Sequence, residues 1–274
     1  MPSANKKRIL VTGGASGIGK AIAQRAIERG HSIIISDVNL AGADALAKSL
    51  GPNASPLSLD VTSMEGWEAA LDQIWREFGG LDVLINNAGI VYPGNALSVP
   101  LAGHQHTMDV NFMGAMRGML AAYPRLAAQG HGQLVTVCSM TAFIPSTGLA
   151  SYAASKHALR AFHHAMALEQ RNGPIDFSIV YPTATETPML QQEAENDDTA
   201  LAFAAPPVSP EYVGKVVIRA MELRRVEVFM PENRGAWIRK VGSSPKLMRA
   251  LIEPGTQAGL AALSTRRGAA KPGT

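Results

Sequence analysis

Tyr152 and Lys156 stand four residues apart in Tyr152-Ala153-Ala154-Ser155-Lys156, the separation that puts a phenol and an ammonium on one face of a helix. A free phenol holds its proton to about pH 10. An ammonium beside it, and the positive ring of an oxidised nicotinamide, would both favour the phenolate and bring it toward the range of a general acid/base. Ser139, thirteen residues before Tyr152, offers a hydroxyl that can hold the same substrate oxygen while a hydride moves at carbon. The chemistry these three side chains suggest is proton exchange at an alcohol or carbonyl coupled to hydride transfer.

A hydride carrier needs a cradle, and the first apolar run, Ile9-Leu10-Val11, ends in Thr12-Gly13-Gly14-Ala15-Ser16-Gly17-Ile18-Gly19. Glycines at a strand-to-helix turn let the backbone approach a pyrophosphate, and the helix start supplies free N–H groups. Gly13, Ser16, Gly17, Ile18 and Gly19 are therefore expected at the cofactor. Eighteen residues past Gly19, Asp37 ends the run Ile33-Ile34-Ile35-Ser36. A carboxylate there accepts from ribose hydroxyls and repels a 2′-phosphate, so NAD is expected in preference to NADP. No Lys or Arg occupies positions 15, 16, 38 or 39 to reverse that preference.

The elements that must position these groups follow from the alternation of short β-branched runs with longer helix-like stretches. Besides the two runs above, Val83-Leu84-Ile85, Leu134-Val135-Thr136-Val137 and Phe177-Ser178-Ile179-Val180 are too continuously apolar for half-exposed strands. They predict an α/β fold with a doubly wound, Rossmann-type parallel sheet covered on both faces. Weaker strands at Leu57-Ser58-Leu59 and Val226-Glu227-Val228-Phe229 bring the number to seven. Residues 1–231 read as one catalytic domain, with a substrate lid near 188–210. Within it, residues 191–210, acidic and then Pro-rich, read as an exposed loop or helical lid.

In order and spacing, Thr12-Gly13-x-x-x-Gly17-x-Gly19, Asp60-Val61, Asn86-Asn87-Ala88-Gly89, Asn111, Ser139, Tyr152-x-x-x-Lys156 and Pro182 with Thr187 resemble the single-domain branch of the short-chain dehydrogenase/reductase family. The resemblance spans roughly residues 7–189. It implies Asp60 and Val61 beside the adenine, Asn87, Ala88 and Gly89 along the ribose, and Pro182, Thr185 and Thr187 near the nicotinamide carboxamide. It adds Tyr152 and Lys156 to the cofactor contacts, and Asn111 to Ser139, Tyr152 and Lys156 in catalysis, through a water-linked proton relay. Two departures are visible. Thr183 follows Pro182 where the family has Gly, and the last strand lacks the Gly-rich ending of the fatty-acid-type ketoacyl reductases.

Composition narrows the partners. The chain carries a net charge of +3, but residues 1–214 hold 13 basic and 18 acidic groups, net −5, whereas 215–274 hold 12 and 4, net +8. The basic excess sits in a C-terminal extension, residues 232–274, expected to pack on or near the substrate site. Its Trp237, Ile238, Leu247, Met248, Leu251 and Ile252 lie among Arg239, Lys240, Lys246 and Arg249, a pattern that suits a wall for a hydrophobic alcohol or ketone, or peripheral contact with a membrane. Basic residues without interleaved aromatics or a known motif do not make a nucleic-acid interface, and none is expected. The lone Cys138 excludes an intramolecular disulfide, and the histidines, including His104, His106, His163 and His164, lack metal-ligand spacing, so no metal is expected. A cytoplasmic homodimer or homotetramer is the expected form. The alternative function is a catalytically silent NAD-binding regulator of the same fold.

Overall fold

The computed structural model describes residues 6–269. Its centre is a seven-stranded sheet with strands β1 (Arg8–Thr12), β2 (Ser32–Asp37), β3 (Ala54–Ser58), β4 (Val83–Asn86), β5 (Gly132–Val137), β6 (Ile175–Pro182) and β7 (Glu227–Met230). They run in the order β3-β2-β1-β4-β5-β6-β7 and every pairing is parallel. The fold expected from the apolar runs is the fold observed. The third strand lies slightly earlier than Leu57-Ser58-Leu59, and it includes Pro56. A proline lacks the donor an inner strand needs, and β3 is a sheet edge.

Helices α1 (Gly17–Glu28), α2 (Leu40–Leu50), α3 (Met64–Phe78), α4 (Leu101–Met108), α5 (Ala115–Gln129), α6 (Ala150–Glu169), α7 (Pro188–Glu193), α8 (Pro210–Glu222), α9 (Gly235–Gly242) and α10 (Pro245–Ala269) complete the molecule. Successive strand side chains point to opposite faces. Ile9 and Val11 pack under α1, α2 and α8 with Ile22, Leu46 and Val217. Leu10 and Leu84 pack under α3, α5 and α6 with Trp67, Met119 and Leu159. Both faces of every central strand are thus dry, which is why those runs are continuously apolar.

The chain reverses its direction of growth between β1 and β4. At such a switch point the loops leaving the carboxyl ends of two neighbouring strands diverge and open a crevice. Of the two readings for residues 191–210, the helical one is observed: a 3₁₀ segment, Asp197–Phe203, follows α7 and buries Ala200 and Phe203 with Leu190 and Leu263. Among the described residues no helix is long and apolar enough to cross a membrane.

Candidate active site

Two cavities lie at the carboxyl ends of the strands and share Ile18, Cys138, Tyr152, Thr187 and Met189 in their walls. One, of about 550 Å³, is lined by Gly13, Ser16, Gly17, Ile18, Asp37, Asp60, Val61, Asn87, Ala88, Gly89, Tyr152, Lys156 and Thr187. The other, of about 670 Å³, is lined by Ser139, Tyr152, Pro182, Thr185 and Thr187 together with α7, α9 and α10. Gly19 and Asn111, also singled out from sequence, face neither.

The turn between β1 and α1 is built for close approach. Gly13 has a positive φ of 62°, and a Cβ there would meet the Ala88 Cα at 2.9 Å. Gly19 serves the turn rather than a ligand, since its Cβ would lie 2.1 Å from the Gly13 carbonyl oxygen. Ser16 begins α1 without a side-chain cap, and no acid occupies the first turn, so the helix start keeps its N–H groups and positive end for an anion. Asp37 accepts from Ala15 N at 3.0 Å and Asn39 N at 2.9 Å, which fixes its carboxylate at the cavity wall. Asp60 is locked similarly: Thr62 donates through both hydroxyl and backbone N–H, and these bonds hold its carboxyl below the usual range. Uncapped helix start, glycine cradle and oriented carboxylate together fit a dinucleotide.

Thr12, not among the residues predicted for the site, ties the two loops together. Its hydroxyl accepts from Asn87 N and Ala88 N, both at 3.0 Å, while Asn87 Nδ2 donates to the Thr12 and Gly13 carbonyls. Asn87 therefore spends its side chain on the turn itself.

Tyr152 and Lys156 occupy the first turns of α6. The ammonium does not sit at the phenol oxygen; Nζ lies 5.5 Å from the ring centroid and donates to the Val137 carbonyl at 3.4 Å. The expectation of a lowered phenol pKa is not met in the protein alone. Burial pushes Tyr152 up, the nearby ionisable groups of Glu193 and Cys138 add to this, and only the Ser139 side chain works the other way. Burial holds Lys156 below its ordinary range. Charge that favours the phenolate has to arrive with a ligand. Ser139 accepts from Thr141 N at 3.1 Å and Thr141 Oγ1 at 2.9 Å. With both lone pairs engaged, its own proton remains to be donated. Cys138 beside it is buried, and its thiol is pushed up to about 11, which leaves it inert.

Asn111 is fully buried in a π-helical turn, Asp109–Gly114, a distortion that often re-aims a side chain near a site. Its Oδ1 accepts from Ile90 N at 2.8 Å, and its Nδ2 donates to Ile90 O at 3.0 Å and Ser155 Oγ at 3.2 Å. The amide thus clamps the loop after Gly89 against α6, with its donors already committed.

The larger cavity is mostly apolar, walled by Leu149, Met189, Leu190, Trp237, Ile238, Met248, Leu251 and Ile252 among others. The C-terminal stripe faces this cavity and gives no support to membrane contact; of its residues only Leu247 is not in the wall. Among the basic residues of the stripe Arg239 pairs with Glu227, and two later arginines tie the tail to the segment around α7. Arg266 pairs with both oxygens of Glu186, and Arg267 binds Asp197 at 2.6 Å and the Ala194 carbonyl. Local sequence patterns hold no trace of these pairings, which join residues some seventy to eighty apart. Among the described residues no group of three or more His, Cys, Asp or Glu side chains is arranged to hold a metal ion.

Glu193 was also not anticipated. It is buried on the cavity wall, and desolvation pushes its carboxyl up to about 7. The folded protein therefore holds this proton more tightly than the unfolded chain does. Its stability is fully retained below the ordinary glutamate pKa of about 4.3 and falls as pH rises through about 7, by on the order of 3 kcal/mol. Thermal melting at pH 5 and pH 8 should show Glu193→Gln gaining on the wild type as pH rises. A constant difference between the two proteins would contradict the assignment.

Comparison with known proteins identifies the family. A family model described as short chain dehydrogenase matches residues 7–198. The chain belongs to the short-chain dehydrogenase family. It is 35% identical over 186 residues, 67% of this chain and 74% of the relative, to 2,5-dichloro-2,5-cyclohexadiene-1,4-diol dehydrogenase LinX of Sphingobium indicum. It is 33% identical over 203 residues, 74% of this chain and 78% of the relative, to 3-alpha-(or 20-beta)-hydroxysteroid dehydrogenase of Mycobacterium tuberculosis. Among solved structures, a short-chain dehydrogenase/reductase from Burkholderia phymatum in complex with NAD superposes with a TM-score of 0.79 at 21% identity, covering 87% of this chain and 94% of that one. At that identity the likeness is one of fold. The family residues run through the cofactor-side cavity and α6, and end before α8.

Proposed function

We propose that this short-chain dehydrogenase is NAD-dependent and interconverts an apolar secondary alcohol and its ketone, with Tyr152 as general acid/base. The observation that carries this is the meeting of two cavities at Tyr152: one with a glycine cradle and an acid, the other apolar. Gly13, Ser16, Gly17, Ile18, Asp37, Asp60, Val61, Asn87, Ala88, Gly89 and Thr187 would hold the dinucleotide, with Pro182 and Thr185 near its nicotinamide. Bound NAD⁺ supplies the hydride acceptor. Tyr152 Oη takes the carbinol proton in oxidation and returns it in reduction, and the free Ser139 proton holds the same oxygen in line. Lys156 places its Nζ beside the phenol ring. Asn111 acts as a positioning residue by fixing Ile90 and α6. The relatives that match include dehydrogenases and reductases, and no observation favours a silent regulator.

Cofactor choice rests on Asp37. Like charges brought together cost several kcal/mol, so NAD should be preferred to NADP by about a hundredfold in kcat/KM. The Asp37→Ser variant should lose most of that preference, mainly through a lower KM for NADP. A wild type that uses NADP as well as NAD would reject this part of the proposal, and a panel of sterols, aryl carbinols and short alcohols would test the rest.

A further inference from the structure

The wall of the larger cavity contains a group that the reaction above does not use. Glu193 ends α7 and is 7% exposed. Its backbone carbonyl accepts from Thr199 Oγ1 at 2.7 Å and from Asn196 N at 3.1 Å, which holds the residue in place. Its carboxyl has no hydrogen-bond or ion-pair partner among the described residues; Arg234, in the same wall, forms no pair with it. Ser146 Oγ is buried without a partner, and its residue lines the same cavity.

An unpaired carboxyl in an apolar wall is unfavourable until something supplies a donor. A ligand that fills the cavity can supply it. The carboxyl is also close enough to the reacting end for its charge to be felt at Tyr152. A neutral hydroxyl suits this carboxyl better than an ammonium, because it can donate to Glu193 whether or not the acid is ionised, whereas a cation requires the acid to be fully ionised.

We propose that Glu193 is a specificity-determining residue that takes a hydrogen bond from a second hydroxyl of the substrate, so that the ligand of this cavity is an apolar diol or hydroxyketone. The inference rests on the dehydrogenase reading for the identity of the first, reacting hydroxyl. Cyclohexanediols and decalindiols of differing hydroxyl spacing, each paired with its monohydroxy counterpart, and an aminocyclohexanol supply the probes. Calorimetry on the full chain saturated with NADH measures binding without turnover.

At least one diol should bind the wild type about tenfold more tightly than its mono-alcohol, the gain of one well-placed hydrogen bond. That gain should vanish in Glu193→Leu and persist in part in Glu193→Gln, whose amide oxygen still accepts. Leucine replaces an unpaired buried acid with an apolar group of similar size, and the glutamine variant keeps the shape if leucine packs poorly. The proposal is overturned if no diol outperforms its mono-alcohol, if the gain survives in Glu193→Leu, or if only the amino alcohol binds. Glu193-dependent diol binding without hydride transfer to any probe would support this proposal and refute the dehydrogenase reading. Equal oxidation of mono-alcohols and diols by wild type and Glu193→Leu would do the reverse.

Discussion

Replacing Tyr152 by Phe should reduce turnover by about 10²–10⁴-fold, the range set by loss of a positioned general acid/base, while melting and NAD binding stay near wild type. Phenylalanine keeps the ring that Lys156 faces at 5.5 Å and removes only the hydroxyl. The pH dependence provides a second readout. Burial raises the Tyr152 pKa, so the phenol is protonated at neutral pH, ready to donate for reduction and poorly able to accept for oxidation. Oxidation by the wild type should therefore climb with pH as reduction falls, and the residual rate of the Phe variant should lose that dependence. Turnover by Tyr152→Phe within a few fold of wild type would remove Tyr152 from the chemistry.

The second large effect is expected far from the reacting atoms, at Gly259. This glycine of α10 packs on the 3₁₀ segment after α7 so closely that a Cβ would fall 1.8 Å from the Ala200 carbonyl oxygen. Ala200 is fully buried and cannot move aside without disturbing Phe203 and Leu263. Gly259→Ala should push α10 outward, with an overpacking cost of about 2 kcal/mol and a fall in Tm of about 5 °C. Because Met248, Leu251 and Ile252 of the same helix wall the larger cavity, KM for the alcohol should rise by about tenfold or more, a loss of roughly 1.4 kcal/mol in binding. NAD affinity should not change. Gly268→Ala is the control, since a Cβ there meets nothing within 4 Å. A Gly259→Ala protein with wild-type Tm and KM would show that α10 is not held this way.

The parts of the fold and site that could be read in the sequence are those whose physics is local. A glycine turn after an apolar run, an acid at the next strand end and a Tyr–Lys pair one helical turn apart each depend on neighbours in the chain. So does the continuous apolarity of β1, β4 and β5. The electrostatics of Tyr152 could not be read this way, because spacing puts Lys156 on the right face but does not say that burial governs the phenol. Nor could the substrate wall. Glu193, Ser146 and Trp237 converge from three separate stretches, and acidic residues 193–198 look solvent-facing until Arg266 and Arg267 are seen across from Glu186, Ala194 and Asp197. The basic excess of the tail is in part the counterpart of that acidic lid.

The cavity wall formed by α9 and α10 has an evolutionary consequence. The family match ends at residue 198, and Trp237, Ile238, Met248, Leu251 and Ile252 all follow it. On the proposed function, the proton donor and the cofactor cradle lie in one stretch of the chain, and much of the substrate wall in another. Changes in the tail could then alter what the cavity accepts while the groups proposed to move proton and hydride stay as they are. A descendant could acquire a new substrate by altering its last two helices alone.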